Sequence, residues 1–398
     1  MPNSPLEPLP YHIELRDYLK SRERELWNWF ASARALADYT ENLRRELLKA
    51  TYRLDATSHP ELYQGVDAAK AGLQLDIPVT IYQAQNSSQM NATLFFIPGE
   101  GHIVFSGQVL NLLNPEEIKS VLAHELAHYH LWNWEQGDLH VADRLLQAIG
   151  SDHRAAECHE QTARRFQLYT EIFADRGSFC VTNDILPVVS GLVKVHTGLA
   201  QVSAAGYLKQ AEEIFAGDHM VTEGVSHPET FIRARALSLW RDQSDDAYPH
   251  ITRMIEGADT LDGLDVLAQT RLTQNTRRLL ENFLSPKWFR TPAVLGHAKL
   301  YFPDFQPAVT REAAVPDYLK FTDSKLRDYL CYVLLDFITA DPELEDVPLA
   351  AALDLTRQIE LDAQFEKLAA RELKMKVRDV RKLKEQATEI LAKAEAAP

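Results

Sequence analysis

The stretch "NPEEIKSVLAHELAHYHLW", residues 114 to 132, constrains the chain more than any other. Asn114 can cap a helix, Pro115 fits the first helical position, and Glu116 and Glu117 suit the positive end of the helix dipole. A helix is therefore expected from Asn114 to about Trp134. Such a helix advances about 100° per residue, so His124 and His128 leave one face a single turn apart and can converge on one ion. Glu125 flanks that face, where it reaches an ion-bound water without competing as a ligand.

Two imidazoles leave an ion of this kind short of a third protein ligand. The extended pattern His-x-x-Gly-x-x-His is excluded, because Leu131 and Trp134 stand where it needs glycine and histidine. The other common arrangement takes a Glu from a later helix, with an acid one turn beyond it that holds a ligand histidine through its free N–H. "YTEIFADRGSF" supplies Glu171 and, four residues on, Asp175. Alone they would read as a solvated acidic pair. Joined to the His-Glu-x-x-His motif, they read as the third ligand and its orienting partner.

Residues from about 91 to 235, "NATLFFIPGEGHIVFSGQVLNLLNPEEIKSVLAHELAHYH" through "YTEIFADRG" to "SHPETFIRARAL", resemble metallopeptidase family 48, the gluzincins that include HtpX-type heat-shock proteases and CAAX prenyl endopeptidases. The resemblance implies an α+β, predominantly helical fold: a zincin-type catalytic domain with a small β-sheet or hairpin beside the active-site helix. It also implies one Zn2+ per chain held by His124, His128 and Glu171, a catalytic base at Glu125 and a supporting carboxylate at Asp175. His227 and Arg233 match the family's late His-Pro motif, whose residues contact the polarised carbonyl or substrate. Read from the residues alone, His227 caps the loop before a helix and Arg233 pairs with Asp175. His130, His140, His153 and His159, in the insert after the motif, read as surface or packing residues.

Several relatives carry membrane spans or a secretion signal. This sequence shows neither pattern, so membrane substrates and prenylated peptides are not carried over. The formal net charge of -15 argues against general affinity for nucleic acid or anionic membrane surfaces. Cys158, Cys180 and Cys331 lack metal-type spacing and read as free thiols in a reducing compartment, giving an expected cytoplasmic location.

The chain divides on sequence into an N-terminal amphipathic helical region (1–60), a zinc peptidase domain (61–245), a helical and Pro-rich connector (246–316) and a C-terminal helical module with a charged tail (317–398). Apolar steps of three, four or seven from Leu15 to Leu47 read as one long amphipathic helix, with Trp27, Trp29 and Phe30 as packing residues. "IPVTIYQA", "ATLFFIPG" and "HIVFSGQV" read as strands, the last as a free edge to which an extended peptide can add. Prolines 286, 292, 303, 307 and 316 mark an irregular connector. The final module faintly resembles all-α TerB-like modules, whose acidic turns read here as solvated caps. The basic run from 371 to 384 lacks aromatics and reads as a solvated helix face. The expected protein is a soluble zinc-dependent endopeptidase acting on peptide or protein substrates, with a regulatory protein partner at the C-terminal module, no nucleic acid and no membrane span. The alternatives are a metal-stabilised peptide-binding scaffold with little turnover and a latent protease activated by a partner.

Overall fold

A computed structural model of the chain describes residues 6–85, 87–217, 220–243, 246–258, 260–308 and 324–396. They fall into two units, Met1–Gly257 and Ala258–Pro398. The first holds α1 (Pro10–Arg22), α2 (Arg24–Phe30), α3 (Ala33–Ala50), β1 (Thr51–Leu54), α4 (Pro60–Leu73), β2 (Val79–Ala84), β3 (Asn91–Ile97), β4 (Glu100–Ser106), α5 (Val109–Leu112), α6 (Pro115–Trp132), α7 (Asp138–Gly150), α8 (Glu157–Thr182), α9 (Ile185–Thr197), α10 (Ala204–Gly217), α11 (Thr230–Gln243) and α12 (Ala247–Glu256). The architecture is α+β and predominantly helical, as expected.

The four strands run in the order β1-β2-β4-β3. β3 and β4 form an antiparallel hairpin closed at Ile97 and Glu100, with Gly99 at φ 84° in the turn, a backbone region that glycine enters without steric cost. β2 runs parallel to β4. One face meets α6, where Leu126 approaches Gly101, and the other is covered by α3, whose Leu47 packs with Tyr82 and Val104. Burial on both faces explains why the stretch Ile103, Val104 and Phe105 of β4 is continuously apolar rather than alternating. It also corrects the expectation of a free edge at "HIVFSGQV": β4 is interior, and the edges are β1 and β3.

The expected single helix from Leu15 to Leu47 is three helices. Glu23 leaves helical geometry at ψ 43°, and Ser32, extended at ψ 142°, restarts the chain by accepting a hydrogen bond from the Ala35 amide. Trp27 is buried and Phe30 half-buried under Arg144, but Trp29 is 61% exposed, so the packing role expected for the three fails at Trp29.

α6 begins with a complete capping box: the Asn114 side chain accepts from the Glu117 amide at 3.0 Å, and the Glu117 carboxylate accepts from the Asn114 amide at 2.9 Å. That carboxylate is buried and also takes the Lys194 ammonium of α9 at 2.9 Å, tying the start of α6 into the core. α6 and α8 cross at Ala127 and Gly177 so closely that a Cβ on Gly177 would collide with that of Ala127. Only glycine permits this approach.

The second unit contains α13 (Val266–Phe283), α14 (Pro292–Tyr301), α15 (Ser324–Leu335), α16 (Val347–Gln358), α17 (Asp362–Glu372) and α18 (Val377–Ala396). Its apolar core joins Leu280, Phe289, Val294, Leu334, Phe337, Leu353 and Phe365. The expected irregular connector is partly helical: Thr291 caps α14 by accepting from the Val294 amide, and Pro292 occupies its first turn, where a missing N–H costs nothing. Pro316 lies outside the described residues. In the basic run, Arg381 and Lys384 turn onto the Glu366 carboxylate at 3.2 and 2.7 Å. No helix among the described residues is long and apolar enough to cross a membrane.

Candidate metal site

The α6–α8 crossing brings His124 and His128 from one helix against Glu171 from the other. The two Nε2 atoms lie 3.2 Å apart. His124 Nε2 is 3.5 Å from Glu171 Oε2, and His128 Nε2 is 3.5 Å from Glu171 Oε1. Donors bonded tetrahedrally to one zinc at 2.0–2.1 Å stand about 3.4 Å apart, so these spacings fit a shared ion. Among the described residues this is the one grouping of metal-type side chains, with its ligand atoms all within 4.8 Å of one another. The acidic turns of the second unit do not form another.

Charge at the cluster also fits a cation. Burial would lower the His124 pKa, but hydrogen bonds and charge from Asp175 and Glu171 raise it to about 10. Burial would raise Glu171, yet His124 and Arg233 hold it well below the ordinary carboxylate range. The pocket therefore favours positive charge beside these carboxylates. Burial lowers His128 to about 3.

Asp175 is fully buried and accepts on both oxygens. His124 Nδ1 stands 3.1 Å from Oδ1, and Arg233 donates in a bidentate pair through Nε and Nη2, each at 2.7 Å. Arg233 Nη1 also reaches Glu171 Oε2 at 3.3 Å. The ion pair between Arg233 and Asp175 read from the sequence is thus present. Glu125 is buried beside the histidines; desolvation pushes it up to about 7, against the lowering effect of the His124 charge and of a hydrogen bond with the Leu94 backbone of β3.

His227 precedes α11 and stays half exposed, its Nε2 3.5 Å from Glu171 Oε1. Sequence reading missed what holds its loop. Arg164 of α8 donates to the carbonyls of Thr222 and Gly224, each at 2.8 Å, while the Glu229 carboxylate accepts from the Thr222 hydroxyl and the Glu223 amide. No local pattern announces such a clamp, because its two halves are distant in the chain.

The insert histidines stay out of the cluster. His140 is buried against Phe96, His130 is bonded to the Leu6 carbonyl, and His153 is exposed. His159 is half-buried in the first turn of α8. The three cysteines are free.

Residues 61–241 match Peptidase family M48. A relative from Arabidopsis thaliana, the plastoglobule-localized metallopeptidase 48 of the chloroplast, is 27% identical over 192 residues, covering 44% of this chain. The chain spans 55% of that relative's length. No solved structure matches the chain.

Proposed function

Residues 61–241 match Peptidase family M48, and from that match we propose that the chain is a zinc-dependent endopeptidase hydrolysing peptide or protein substrates. The observation that carries the reading is the convergence of His124, His128 and Glu171 with Glu125 buried alongside. His124 Nε2, His128 Nε2 and a Glu171 oxygen would hold one zinc. When bound, zinc polarises a carbonyl and lowers the pKa of a bound water from that of bulk water to about 7.

The chain's own residues do the rest. Glu125 accepts the proton of the attacking water and delivers it to the departing amine nitrogen. His227, from its half-exposed loop, donates to the oxygen that gains negative charge as the carbonyl is attacked. Asp175 fixes the His124 ring through Nδ1, and Arg233 fixes Asp175. The edge strand β3, bonded to Glu125 at Leu94, receives the substrate as an added strand; backbone pairing selects extended peptides over particular sequences. The second unit, outside the matched residues, is our candidate for recruitment or regulation by a protein partner.

The test is Glu125→Gln. It is expected to keep about one zinc per chain while losing cleavage of an unfolded protein substrate by a factor of about 10³ or more. Undiminished cleavage removes Glu125 as base. If the wild-type protein binds zinc but cleaves neither unfolded proteins nor a peptide library, the scaffold reading replaces the enzyme.

A further inference from the structure

The two ligand histidines are supported unequally. Metal-bound histidines ordinarily donate the free ring N–H to a carboxylate or carbonyl, which fixes the ring. His124 does so through Asp175 at 3.1 Å. The Nδ1 of His128 is buried and has no hydrogen-bond partner among the described residues. Something else must hold that imidazole.

Trp132 lies four residues on, over the same face of α6. Its indole stacks on the His128 ring with centroids 5.4 Å apart and planes inclined by 25°. The indole is itself gripped: Phe96 of the edge strand meets it edge-on at 6.2 Å, and His140 of α7 packs at 6.3 Å. Its Nε1 is buried without a partner among the described residues, so stacking and apolar contact fix this side chain.

Past Trp132 the backbone is left-handed at three successive residues, Glu135 (φ 46°), Gln136 (64°) and Gly137 (95°). That conformation costs about 1 kcal/mol or more at each non-glycine position and persists only where the surroundings impose it. Here Arg16 and Lys20 of α1 grip Glu135 and Asp138 across the turn. The reversal starts α7 at Asp138, so that His140 lies against the indole.

We propose that Trp132 is the positioning residue for His128, its stacked indole taking the place of the hydrogen bond that Asp175 gives His124. It holds the imidazole in its ligating orientation and keeps water from one ring face, so it governs how tightly and how long the ion is held. The inference rests on the zinc reading above and predicts a binding property that does not depend on turnover.

Zinc affinity by competition with a chromophoric chelator, measured for wild type, Trp132→Phe and Trp132→Ala, tests it. Trp132→Ala is expected to weaken zinc about 10- to 100-fold, the range seen when the support of a ligand is removed, while Trp132→Phe, which keeps a stacking ring, stays within about threefold. Folding of the metal-free variants is checked by thermal unfolding. Should Trp132→Ala not fold, tryptophan emission decides: Co2+ in the site quenches the wild-type protein, and Trp132→Phe should lose most of that quenching. Unchanged affinity in folded Trp132→Ala, or full quenching in Trp132→Phe, overturns the proposal. A wild-type protein that binds no zinc removes the metal reading and this one together, an outcome distinct from wild type and Trp132→Ala binding zinc equally.

Discussion

The two units of the chain handle buried charge in opposite ways. Around α6 and α8 the first unit encloses Glu117, Glu125, Asp143, Glu171, Asp175, Lys194 and Arg233. Among the described residues of the second unit the buried carboxylates are Asp265, which caps α13, and Glu366, which Lys384 and Arg381 approach from the surface. Removing a charge from water costs several kcal/mol unless partners compensate, so a fold seeking only stability avoids it. The second unit holds together by apolar packing. The first also encloses charges beyond those that anchor its helices, and Glu125, Asp175 and Arg233 stand at the cluster assigned to chemistry.

Breaking one ion pair in each unit should expose this contrast. Arg233→Met strands Asp175 and Glu171 in the interior and is expected to cost the metal-free protein about 3–5 kcal/mol by denaturant unfolding. Loss of under 1 kcal/mol would mean that water reaches the site freely.

Asp143 sharpens the comparison through pH. Burial raises it to about 7, with the Gln147 hydrogen bond and the Arg144 charge working the other way. Its folded-state value lies above the unfolded one, so its protonated form favours the fold. That contribution is full below about pH 4, declines as pH rises towards 7 and is absent above. Asp143→Asn should abolish this decline and raise stability above pH 7 by at most about 4 kcal/mol. Parallel stability curves for wild type and variant between pH 4 and 7 would refute it.

Gly177→Ala should cost about 1–3 kcal/mol by pushing α8 away from Ala127, and should weaken zinc binding at the same time. If affinity survives the lost stability, the crossing does not set the ligand spacing. The smallest effect is expected at Lys384→Met, which opens a partly exposed pair with Glu366: below about 1 kcal/mol, in a urea titration of the full chain.

Much of α6 was legible in the sequence because its signals are local. Asn114, Pro115 and Glu117 mark its start, and the spacing of His124 and His128 marks its functional face. Glu171 and Asp175 were legible as a pair on one helix face. What could not be read was anything set by distant pairing. The sheet order places β4 between β2 and β3, so the free edge falls on the strand before the one expected. Ser32 went unnoticed because apolar spacing of three, four and seven continues across it in register. Pro292 was taken as a breaker where it begins a helix. Trp132 stood one turn beyond His128 in plain view, but nothing local says that an indole will close onto an imidazole.

At Ala127 and Gly177 main chain lies almost against main chain. Side chains can change rotamer and drift, whereas a spacing set by two backbones is as stiff as the helices themselves. A pocket mounted there keeps its dimensions while the surfaces around it vary, so substrate preference could diverge among relatives without the ion's seat being rebuilt.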